Sequence, residues 1–515
     1  MTSETTKTYS SMRELLELRA AATPAKSFLF SERDGRTWTY SEFDAAVNRT
    51  ANLLSAHGAK RGDVISLLMP NSAEYIIAYF ACFKLGALAG PVNSLLKAEE
   101  IAYVVNHSEA KLLIYHSQFH AEVGAVQKEM SNLQAALVFD DVATYADAPE
   151  SPDKFWKELG MNRDDEAIII YTSGTTGKPK GCLLTHGNLL ANARQIVHWL
   201  RFTPDDRLLS VMPLFHMNAV MVTTIAALYA GGSTVVSPRF SASRFWKIIS
   251  DYEATSFGSV ATMLSMLLAT YPEGVPAGTR IGQLRFAMCG SAPVPAEVLR
   301  RFEETFNCLV IEGYGLSEST VRATFNPPDA RRRPGSCGMS IGCNIKIFDD
   351  EEREVAAGEL GEIVLRGENI FNGYYKNEGA TAHAFRGGWF HTGDIGYVDA
   401  EGFHYIVDRK SDMIIRGGEN IYPREIDEAL YRHPAIAAAA TIGVPDELYG
   451  EEVAAFVVLK EVHAASAEEI MEYCRAHLAD YKCPKTISFL AELPKGPTGK
   501  VLKRELARLH VVPQN

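Results

Sequence analysis

A run of glycine, hydroxyl and lysine residues from Tyr171 to Gly181 has the composition of a phosphate-binding loop. Glycine permits positive φ angles and close approach of the backbone, so amide groups can point at an anion. The hydroxyls and lysines add donors and positive charge, and we expect a polyphosphate to bind here. The candidate contacts are Thr172, Ser173, Gly174, Thr175, Thr176, Gly177, Lys178 and Lys180. The loop lacks the first glycine of a Walker A motif. An ordinary polar surface turn is the alternative, which the length of the run disfavours.

The elements around this loop form an α/β pattern. Continuous apolar runs at Asp63–Met69, Lys111–Tyr115 and Ala167–Tyr171 are typical of buried parallel strands, which need apolar side chains on both faces. Amphipathic segments alternate with them, including a helix that we expect from Asn188 to Leu200, after the loop. The sequence therefore predicts a large domain of β/α subdomains.

The pattern of apolar and polar residues changes after Ser336. Short strands separated by Gly, Asp and Glu follow, which predicts a small antiparallel or barrel-like unit. The last hundred residues mix two or three helices with the strand Ala454–Leu459. We predict an N-terminal domain of β/α subdomains plus a small β-barrel over residues 1–410, and a small α+β C-terminal domain over 411–515.

Composition excludes several classes of protein. The chain has 515 residues, of which 47% are hydrophobic and 22% charged, which describes a globular protein with ample core material. The net charge of −12 argues against a nucleic-acid partner. The eight cysteines form no CxxC pair, so a zinc site is not expected. The most apolar stretch, Ala219–Ala230, is about half the ~20 residues of a membrane-spanning helix. With no signal peptide at the N-terminus, we expect a cytoplasmic protein without a transmembrane segment.

The loop and six later segments resemble, in order, the signatures of the adenylate-forming superfamily. This superfamily contains acyl-CoA synthetases, luciferase-like enzymes and peptide-synthetase adenylation domains. The resemblance covers residues 30 to 505, and the six segments are Gly290–Pro293, Gly313–Glu318, Thr392–Asp394, Asp408–Arg409, Gly417–Ile426 and Pro497–Lys500.

The resemblance implies an ATP-dependent acid:CoA ligase. A carboxylate attacks the α-phosphate of ATP to give an acyl-adenylate and pyrophosphate, and the thiol of coenzyme A then takes the acyl group and releases AMP. The expected partners are a small carboxylic acid, ATP, Mg²⁺ and CoA. The oligomeric state is left open, with a homodimer among the alternatives.

The resemblance also implies roles for particular residues. Lys500 is the expected catalytic lysine, able to bridge the carboxylate and the α-phosphate. The tail around it is basic, with seven Lys or Arg against two Glu between Tyr481 and His510. Glu318 is expected to hold Mg²⁺. For each of these two residues, a solvated surface position is the alternative.

The nucleotide site implied by the resemblance has three parts. Tyr314 is expected to stack on adenine, Asp394 to accept the ribose hydroxyls, and Arg409 to reach the ribose or the phosphates. A core aromatic and a surface salt bridge are the alternatives for the first and last. The remaining expected contacts are Gly290, Ser291, Ala292, Pro293, Glu312, Gly313, Gly315 and Ser317.

The C-terminal domain is expected to be mobile. The resemblance implies that it rotates between the two half-reactions, exchanging Lys500 for the Gly417, Gly418 and Glu419 loop. Relatives usually carry Asp or Lys at the pivot where this chain has Ser411, which is compatible with a hinge but leaves the identity of the pivot open.

The acyl pocket is expected along Pro213–Met221, where His216 could steer the carboxylate or be a half-buried structural histidine. Gly313 stands where acetate-specific relatives have Trp, so it should leave room for a longer or aromatic acid. A medium- to long-chain fatty acid is therefore the predicted substrate. The alternatives are an aryl or carnitine-type acid, and transfer of the acyl group to a carrier protein. Arg322 or Arg331–Arg333 could bind a second carboxylate.

Overall fold

Parallel strands buried on both faces build the first of two large sheets. A computed structural model of the chain describes residues 8–151, 158–172, 179–290, 296–460, 463–496 and 501–511. In this first sheet every neighbouring pair is parallel except β1 and β2. Its spatial order is β13 (Leu309–Glu312), β12 (Phe286–Cys289), β11 (Ser256–Ser259), β9 (Arg207–Ser210), β10 (Ser233–Val236), β1 (Ser27–Ser31) and β2 (Thr37–Thr39).

The second sheet combines a parallel body with an antiparallel edge. The apolar runs near residues 65, 113 and 169 become its strands, as the sequence predicts. β7 and β8 form an antiparallel hairpin, to which β18 adds. The spatial order is β18 (Gly373–Tyr374), β8 (Lys180–Thr185), β7 (Glu166–Thr172), β4 (Leu88–Pro91), β3 (Val64–Leu68), β5 (Leu112–Tyr115) and β6 (Ala135–Val138).

One helix lies between the two large sheets. Ala73–Leu85 is fully buried and apolar on all sides apart from the ion-paired Glu74 and Lys84, and it contacts β1 of one sheet and both β3 and β4 of the other. A helix that is apolar all round belongs in a core, because it has no face to present to water. Ser72 caps its N-terminus and Gly86, with a φ of 69°, ends it. The apolar residues of this helix all belong to the largest apolar core.

The other helices cover the sheets or belong to the C-terminal unit. The α-helices in the described part of the chain are α1 (Met12–Ala22), α2 (Tyr40–Ala56), α3 (Ala73–Leu85), α4 (Ala98–His107), α5 (His120–Val126), α6 (His186–Leu200), α7 (Ala226–Ala230), α8 (Ala242–Asp251), α9 (Ala261–Thr270), α10 (Ala296–Phe306), α11 (Glu378–Ala384), α12 (Pro423–Tyr431), α13 (Ala467–His477) and α14 (Lys503–Val511). Within the described ranges, no helix combines the length and the apolar character that a bilayer crossing requires.

A third, antiparallel sheet follows the β/α subdomains, which confirms the predicted barrel-like unit as a half-barrel. It consists of β16 (Asn344–Phe348), β17 (Gly361–Arg366), β20 (Trp389–Val398) and β19 (Phe385–Arg386), with β21 (His404–Arg409) pairing with β20. A separate two-stranded ribbon, β14 (Thr324–Phe325) and β15 (Met339–Ser340), precedes it.

The C-terminal unit has its own sheet and its own apolar cores. The two cores draw on residues between Ile414 and Leu506 and are separate from those of the preceding chain. The boundary at residue 410 stays a prediction, although this separation supports it. The sheet has the order β23 (Glu419–Ile421), β22 (Ile414–Arg416), β25 (Gly450–Leu459) and β24 (Ile436–Asp446), with β26 (Thr486–Phe489) on the other side of β25.

Candidate active site

The candidate site lies where four parallel strands of the first sheet end. β9 leads to Pro213–His216, β11 to Val260, β12 to Gly290, and β13 to Gly313 and Tyr314. Because these strands are parallel and adjacent, their carboxyl ends meet at one edge of the sheet, where α/β folds bind ligands. Segments that are distant in the sequence are therefore brought together by sheet topology.

Tyr314, Asp394 and Arg409 form one hydrogen-bonded group. The Tyr314 hydroxyl donates to Asp394 Oδ2 at 2.6 Å, and Arg409 Nε lies 3.1 Å from Asp394 Oδ1. Asp394 on β20 and Arg409 on β21 are direct cross-strand partners in the half-barrel, and the Asp394 amide donates to Thr392 Oγ1 at 3.0 Å. The structure thus brings together the three residues that the sequence assigned to adenine and ribose.

Glycines at the strand ends keep the backbone close-packed. A Cβ built on Gly290 would lie 2.7 Å from the Gly313 carbonyl oxygen, and one on Gly315 would lie 2.2 Å from the Val321 carbonyl oxygen. These positions therefore require glycine for packing. Because glycine has no side chain, a flat ligand can approach the edge of the sheet closely.

The expectation about Gly313 is wrong in one respect. A Cβ at Gly313 would lie 2.4 Å from Phe325 Cδ1 and 2.8 Å from the Thr324 carbonyl oxygen. The space that Gly313 leaves is filled by the Phe325 ring of β14, so glycine at this position does not open room for a longer acid. Sequence spacing could not show this, because Phe325 reaches the site only through the fold of the β14–β15 ribbon.

Glu318 is a buried carboxylate with an oxygen-rich environment. Tyr374 donates its hydroxyl to Glu318 Oε1 at 2.9 Å, and burial raises the pKa of Glu318. Lys180 Nζ lies 5.0 Å from the centroid of the Tyr374 ring, so the ammonium group contacts the face of that ring. Glu318, Tyr374 and Lys180 therefore form a continuous charged and polar group next to the Tyr314 cluster.

Glu318 fits a magnesium ion that a nucleotide carries. Within the described ranges, no three His, Cys, Asp or Glu side chains converge to hold a metal by themselves. Mg²⁺ is usually bound through one or two carboxylates together with substrate phosphates, so a single buried carboxylate at a phosphate site is an appropriate donor. A bound cation would also supply the counter-charge that the buried Glu318 carboxylate lacks.

The phosphate loop connects two strands rather than a strand and a helix. Thr172 at the end of β7 pairs with Lys180 at the start of β8, and α6 begins only at His186. The expected helix is present, but a strand separates it from the loop. The N-terminus of α6 is therefore not part of the loop. Ser173, Gly174, Thr175, Thr176, Gly177 and Lys178 lie outside the described residues, as do Ser291, Ala292, Pro293 and Lys500.

Phe215, which precedes His216 in the chain, lines a mainly apolar cavity that also has Arg239 in its wall. The cavity has a volume of about 430 Å³ and is lined by Met212, Pro213, Phe215, Val260 and Met263, among others. Phe215 packs its ring 4.6 Å from the His216 ring. His216 Nε2 is buried without a hydrogen-bond partner, and burial lowers the pKa of the imidazole to about 4. The imidazole is therefore neutral near pH 7 and can contact a carboxylate only as a hydrogen-bond donor.

A loop of the C-terminal unit reaches the same cavity. Gly496, from the chain preceding residues 497–500, is among the lining residues. Gly417 and Gly418 lie elsewhere in that unit, at the tip of the β22–β23 hairpin, with φ angles of 59° and 91°. Glu419 begins β23 and is exposed. The structure therefore places Gly496, and not the glycine hairpin, at this cavity.

Two expected nucleotide contacts have other partners here. The carboxylate of Glu312 accepts a hydrogen bond from the Gly335 amide at 3.0 Å, and burial raises the pKa of Glu312 to about 8. Ser317 begins a single 3₁₀ turn, and its carbonyl oxygen accepts the Thr320 amide at 3.0 Å. Through these hydrogen bonds, both residues stabilise the loop that carries Tyr314 and Glu318.

The sequence interpretation missed Tyr374 and Asn369. Tyr374 is paired with Cys182 next to the phosphate hairpin, which brings its hydroxyl to Glu318. The Asn369 amide donates to the carbonyl oxygens of Ser319 at 3.1 Å and Arg322 at 3.2 Å, so it fixes the turn that carries Glu318. Neither residue has a spacing relative to the motifs that would identify it from the sequence.

Comparisons with known proteins agree with this site. Residues 16–375 match the model of the AMP-binding enzyme family, and residues 425–500 match its C-terminal domain. The chain is 36% identical to sulfoacetate–CoA ligase of Cupriavidus necator, over 97% of each chain. It is 34% identical to the long-chain-fatty-acid–CoA ligase FadD13 of Mycobacterium tuberculosis, over 96% of this chain and 97% of the relative. ATP-bound MatB from Rhodopseudomonas palustris superimposes with a TM-score of 0.88 at 30% identity, over 96% and 99% of the two chains.

The chain therefore belongs to the AMP-binding, adenylate-forming enzyme family. The family resemblance, the α/β fold class and the enzyme class of acid–thiol ligases that the sequence predicted are confirmed. The acid itself is not decided by these relatives, since their names span sulfonated and long-chain acids.

Proposed function

We propose that the protein is an AMP-forming acid:CoA ligase that uses one site for both half-reactions. The observation that carries this proposal is the group Tyr314–Asp394–Arg409 beside Glu318 at the strand ends, with a cavity lined by Val260 at the same edge of the sheet. Tyr314 offers a ring for adenine. Asp394 and Arg409 hold the ribose, and Glu318 holds magnesium, which neutralises phosphate charge when it is bound.

The first half-reaction joins two anions. A carboxylate oxygen of the acid forms a bond to the α-phosphorus of ATP, and the bond to the β-phosphate oxygen breaks, releasing pyrophosphate. Because both reactants are negative, the transition state needs nearby cations. Lys500 supplies one, and the presence of Gly496 at the cavity supports its placement there. Lys180 and the loop hydroxyls hold the leaving phosphates.

The second half-reaction transfers the acyl group to coenzyme A. The thiol sulfur attacks the acyl carbonyl carbon, the bond to AMP breaks, and the thiol proton passes to solvent. In this proposal the C-terminal domain rotates near Ser411 and brings Gly417, Gly418 and Glu419 to the site. The separate cores of this domain support such a rigid-body movement.

The acid that the geometry favours is compact. Phe325 occupies the space beside Gly313, and the described cavity of about 430 Å³ is at the small end of ligand pockets. The medium- to long-chain fatty acid that the sequence favours is the second candidate. The apolar wall of Met212, Phe215 and Met263 and the similarity to FadD13 support it.

The cellular setting is also part of the proposal. All eight cysteines are free thiols, which supports a reducing compartment such as the cytoplasm. ATP and CoA as partners are supported by the family and by the ATP-bound MatB structure. Comparing CoA with a purified acyl-carrier protein as acceptor tests the choice of thiol, because only the correct acceptor gives stoichiometric AMP release.

Substitution of Lys500 by Ala tests the assignment of the half-reactions. We expect acid-dependent ATP–pyrophosphate exchange to fall by at least about 100-fold, since a charge at the transition state is lost. Thioester formation from supplied acyl-adenylate and CoA should continue. Lys495→Ala, a nearby lysine in the same tail, is the control and should retain exchange. Undiminished exchange in the Lys500 variant would contradict the proposal.

A further inference from the structure

A buried arginine without a counter-ion lies at the edge of the candidate site. Arg322 is 1% exposed, and its Nε and Nη2 atoms have no hydrogen-bond partner in the parts of the chain that the structure describes. Its Nη1 makes one long bond of 3.3 Å to the Val321 carbonyl oxygen, and among the residues that the structure describes no carboxylate pairs with it. Burial of an unpaired charge is strongly unfavourable, so an arginine held in this way indicates that a ligand supplies the anion.

The arginine is held firmly in place. Its backbone amide donates to Asn192 Oδ1 at 3.2 Å, and its carbonyl oxygen accepts the side-chain amides of Asn192 at 2.7 Å and Asn369 at 3.2 Å. Its guanidinium lies over the Phe325 ring, 5.1 Å from the centroid. Burial lowers the pKa of Arg322 to about 10, which leaves the guanidinium charged near pH 7.

The guanidinium faces the ends of the strands that form the acyl site. A Cβ built on Gly290 would lie 2.7 Å from Arg322 Nη2, so the nitrogen packs directly on the backbone that follows β12. β11 and β12 are paired with Ser259 opposite Cys289. The next residues, Val260 and Gly290, are therefore neighbours, and Val260 lines the acyl cavity. Arg322 thus stands one strand away from the cavity wall.

We propose that Arg322 is a specificity residue that binds a second anionic group on the acid substrate. This inference rests on the proposed ligase function and narrows its substrate to a short dicarboxylic or sulfonated acid. The reacting carboxylate lies at the cavity side of the site, and the second carboxylate or sulfonate lies near Gly290, where Arg322 Nε and Nη2 donate to its oxygens. The 36% identity to a sulfoacetate–CoA ligase is consistent with this class.

Matched acids provide the test. Malonate, succinate and sulfoacetate are compared with acetate, propionate and butyrate in two assays on the full-length protein. The assays are CoA-dependent AMP release and calorimetric binding of each acid in the presence of Mg²⁺ and a non-hydrolysable ATP analogue. We expect the wild type to prefer the doubly charged acids by at least about 100-fold in kcat/KM and to bind them more tightly, because a buried charge left unpaired rejects the singly charged acid.

Arg322→Met should abolish that preference, and Arg322→Lys should restore part of it. Arg331→Met is the control, because Arg331 is an exposed arginine in the same segment that pairs with Asp329. Without substrate, the Met variant should have an unchanged or higher Tm, since a buried unpaired charge has been removed. A purely structural arginine would instead lower it.

Two results would overturn the inference. The first is a wild type that binds and converts both sets of acids equally. The second is an Arg322→Met variant that weakens both sets by the same factor, which would place Arg322 on the shared carboxylate or on the nucleotide. If no acid releases AMP but the wild type still binds the doubly charged acids through Arg322, the proposed function fails and the binding inference stands.

Discussion

At the residue scale, the site depends on hydrogen bonds and an ion pair that two buried carboxylates accept. Asp394 accepts from both Tyr314 and Arg409, and Glu318 accepts from Tyr374. The sequence identified Tyr314, Asp394 and Arg409 by motif, but it contained no sign that they contact one another. Hydrogen bonds to a charged acceptor are worth about 1.5–3 kcal/mol, so the loss of one partner should be measurable.

Tyr314→Phe tests the first of these pairs. The ring for adenine stays, but the hydroxyl that orients Asp394 at 2.6 Å is lost. We expect the KM for ATP to rise about 10-fold or more while the KM for the acid changes little, as measured in the pyrophosphate-release assay.

Tyr405→Phe is the matched control for that variant. Its hydroxyl also donates to a carboxylate, Asp399 Oδ2, at 3.3 Å, but Asp399 lies outside the nucleotide group. Equal effects of the two substitutions on the KM for ATP would argue against a specific role of the Tyr314–Asp394 hydrogen bond.

At the element scale, turns and strand ends deliver the chemistry. The phosphate loop spans the β7–β8 hairpin, and the Gly417–Gly418 turn spans the β22–β23 hairpin. Both residues of the second turn have positive φ, which is the conformation that tight two-residue hairpins require and glycine supplies without strain. The sequence indicated that these glycines matter, and the structure explains their local role as turn residues.

Gly418→Ala in this turn should slow the second half-reaction without slowing the first. A Cβ on Gly418 would meet no atom within 4 Å, so the substitution costs backbone strain alone, about 1–2 kcal/mol at a φ of 91°. We expect thioester formation to slow several-fold and ATP–pyrophosphate exchange to stay near the wild-type rate.

Gly358→Ala is the control for strain. Gly358 has a φ of 89° and likewise no atom within 4 Å of a built Cβ, but it lies in a turn of the half-barrel region. It should lower stability by a similar amount, measured by urea unfolding, without changing either half-reaction selectively. A Gly418 variant that slows both half-reactions equally would contradict the assignment.

At the scale of the whole molecule, most of the basic residues of the C-terminal tail have acidic partners. Lys482 pairs with Glu425, Lys485 with Asp446, Lys503 with Asp412 and Arg508 with Glu505. Four of the seven basic residues of the tail are therefore partly neutralised within the C-terminal unit. Positive charge at the site has to come from individual residues rather than from the tail as a whole.

Ser411→Pro tests the rotation of that unit. Among the described residues, the Ser411 amide donates no backbone hydrogen bond, so proline removes only the bond from the Ser411 hydroxyl to Asp412 Oδ1 at 3.1 Å, which Ser411→Ala removes as well. Proline restricts the φ angle of the proposed hinge. We expect ATP–pyrophosphate exchange to persist and CoA-dependent AMP release to fall at least about 10-fold, with Ser411→Ala behaving as the wild type. Unimpaired AMP release in the proline variant would exclude a pivot at this residue.

The sequence by itself determined the fold class, the family and most of the residue types at the site. Apolar runs and glycine-rich motifs are local patterns, and local patterns are what spacing can reveal. The strands near residues 65, 113 and 169 and the barrel-like unit followed from them.

Only the tertiary structure decided which side chains share a space. Phe325 fills the room beside Gly313, and Tyr374 reaches Glu318 through the pairing of β18 with β8. Arg322 is buried with no counter-ion in the described part of the chain, a property that depends on all of its neighbours together. These contacts join residues far apart in the chain, and their energies arise from burial and geometry rather than from residue type. For that reason the sequence indicated the chemistry of the site, but it did not indicate the size or the charge of the acid pocket.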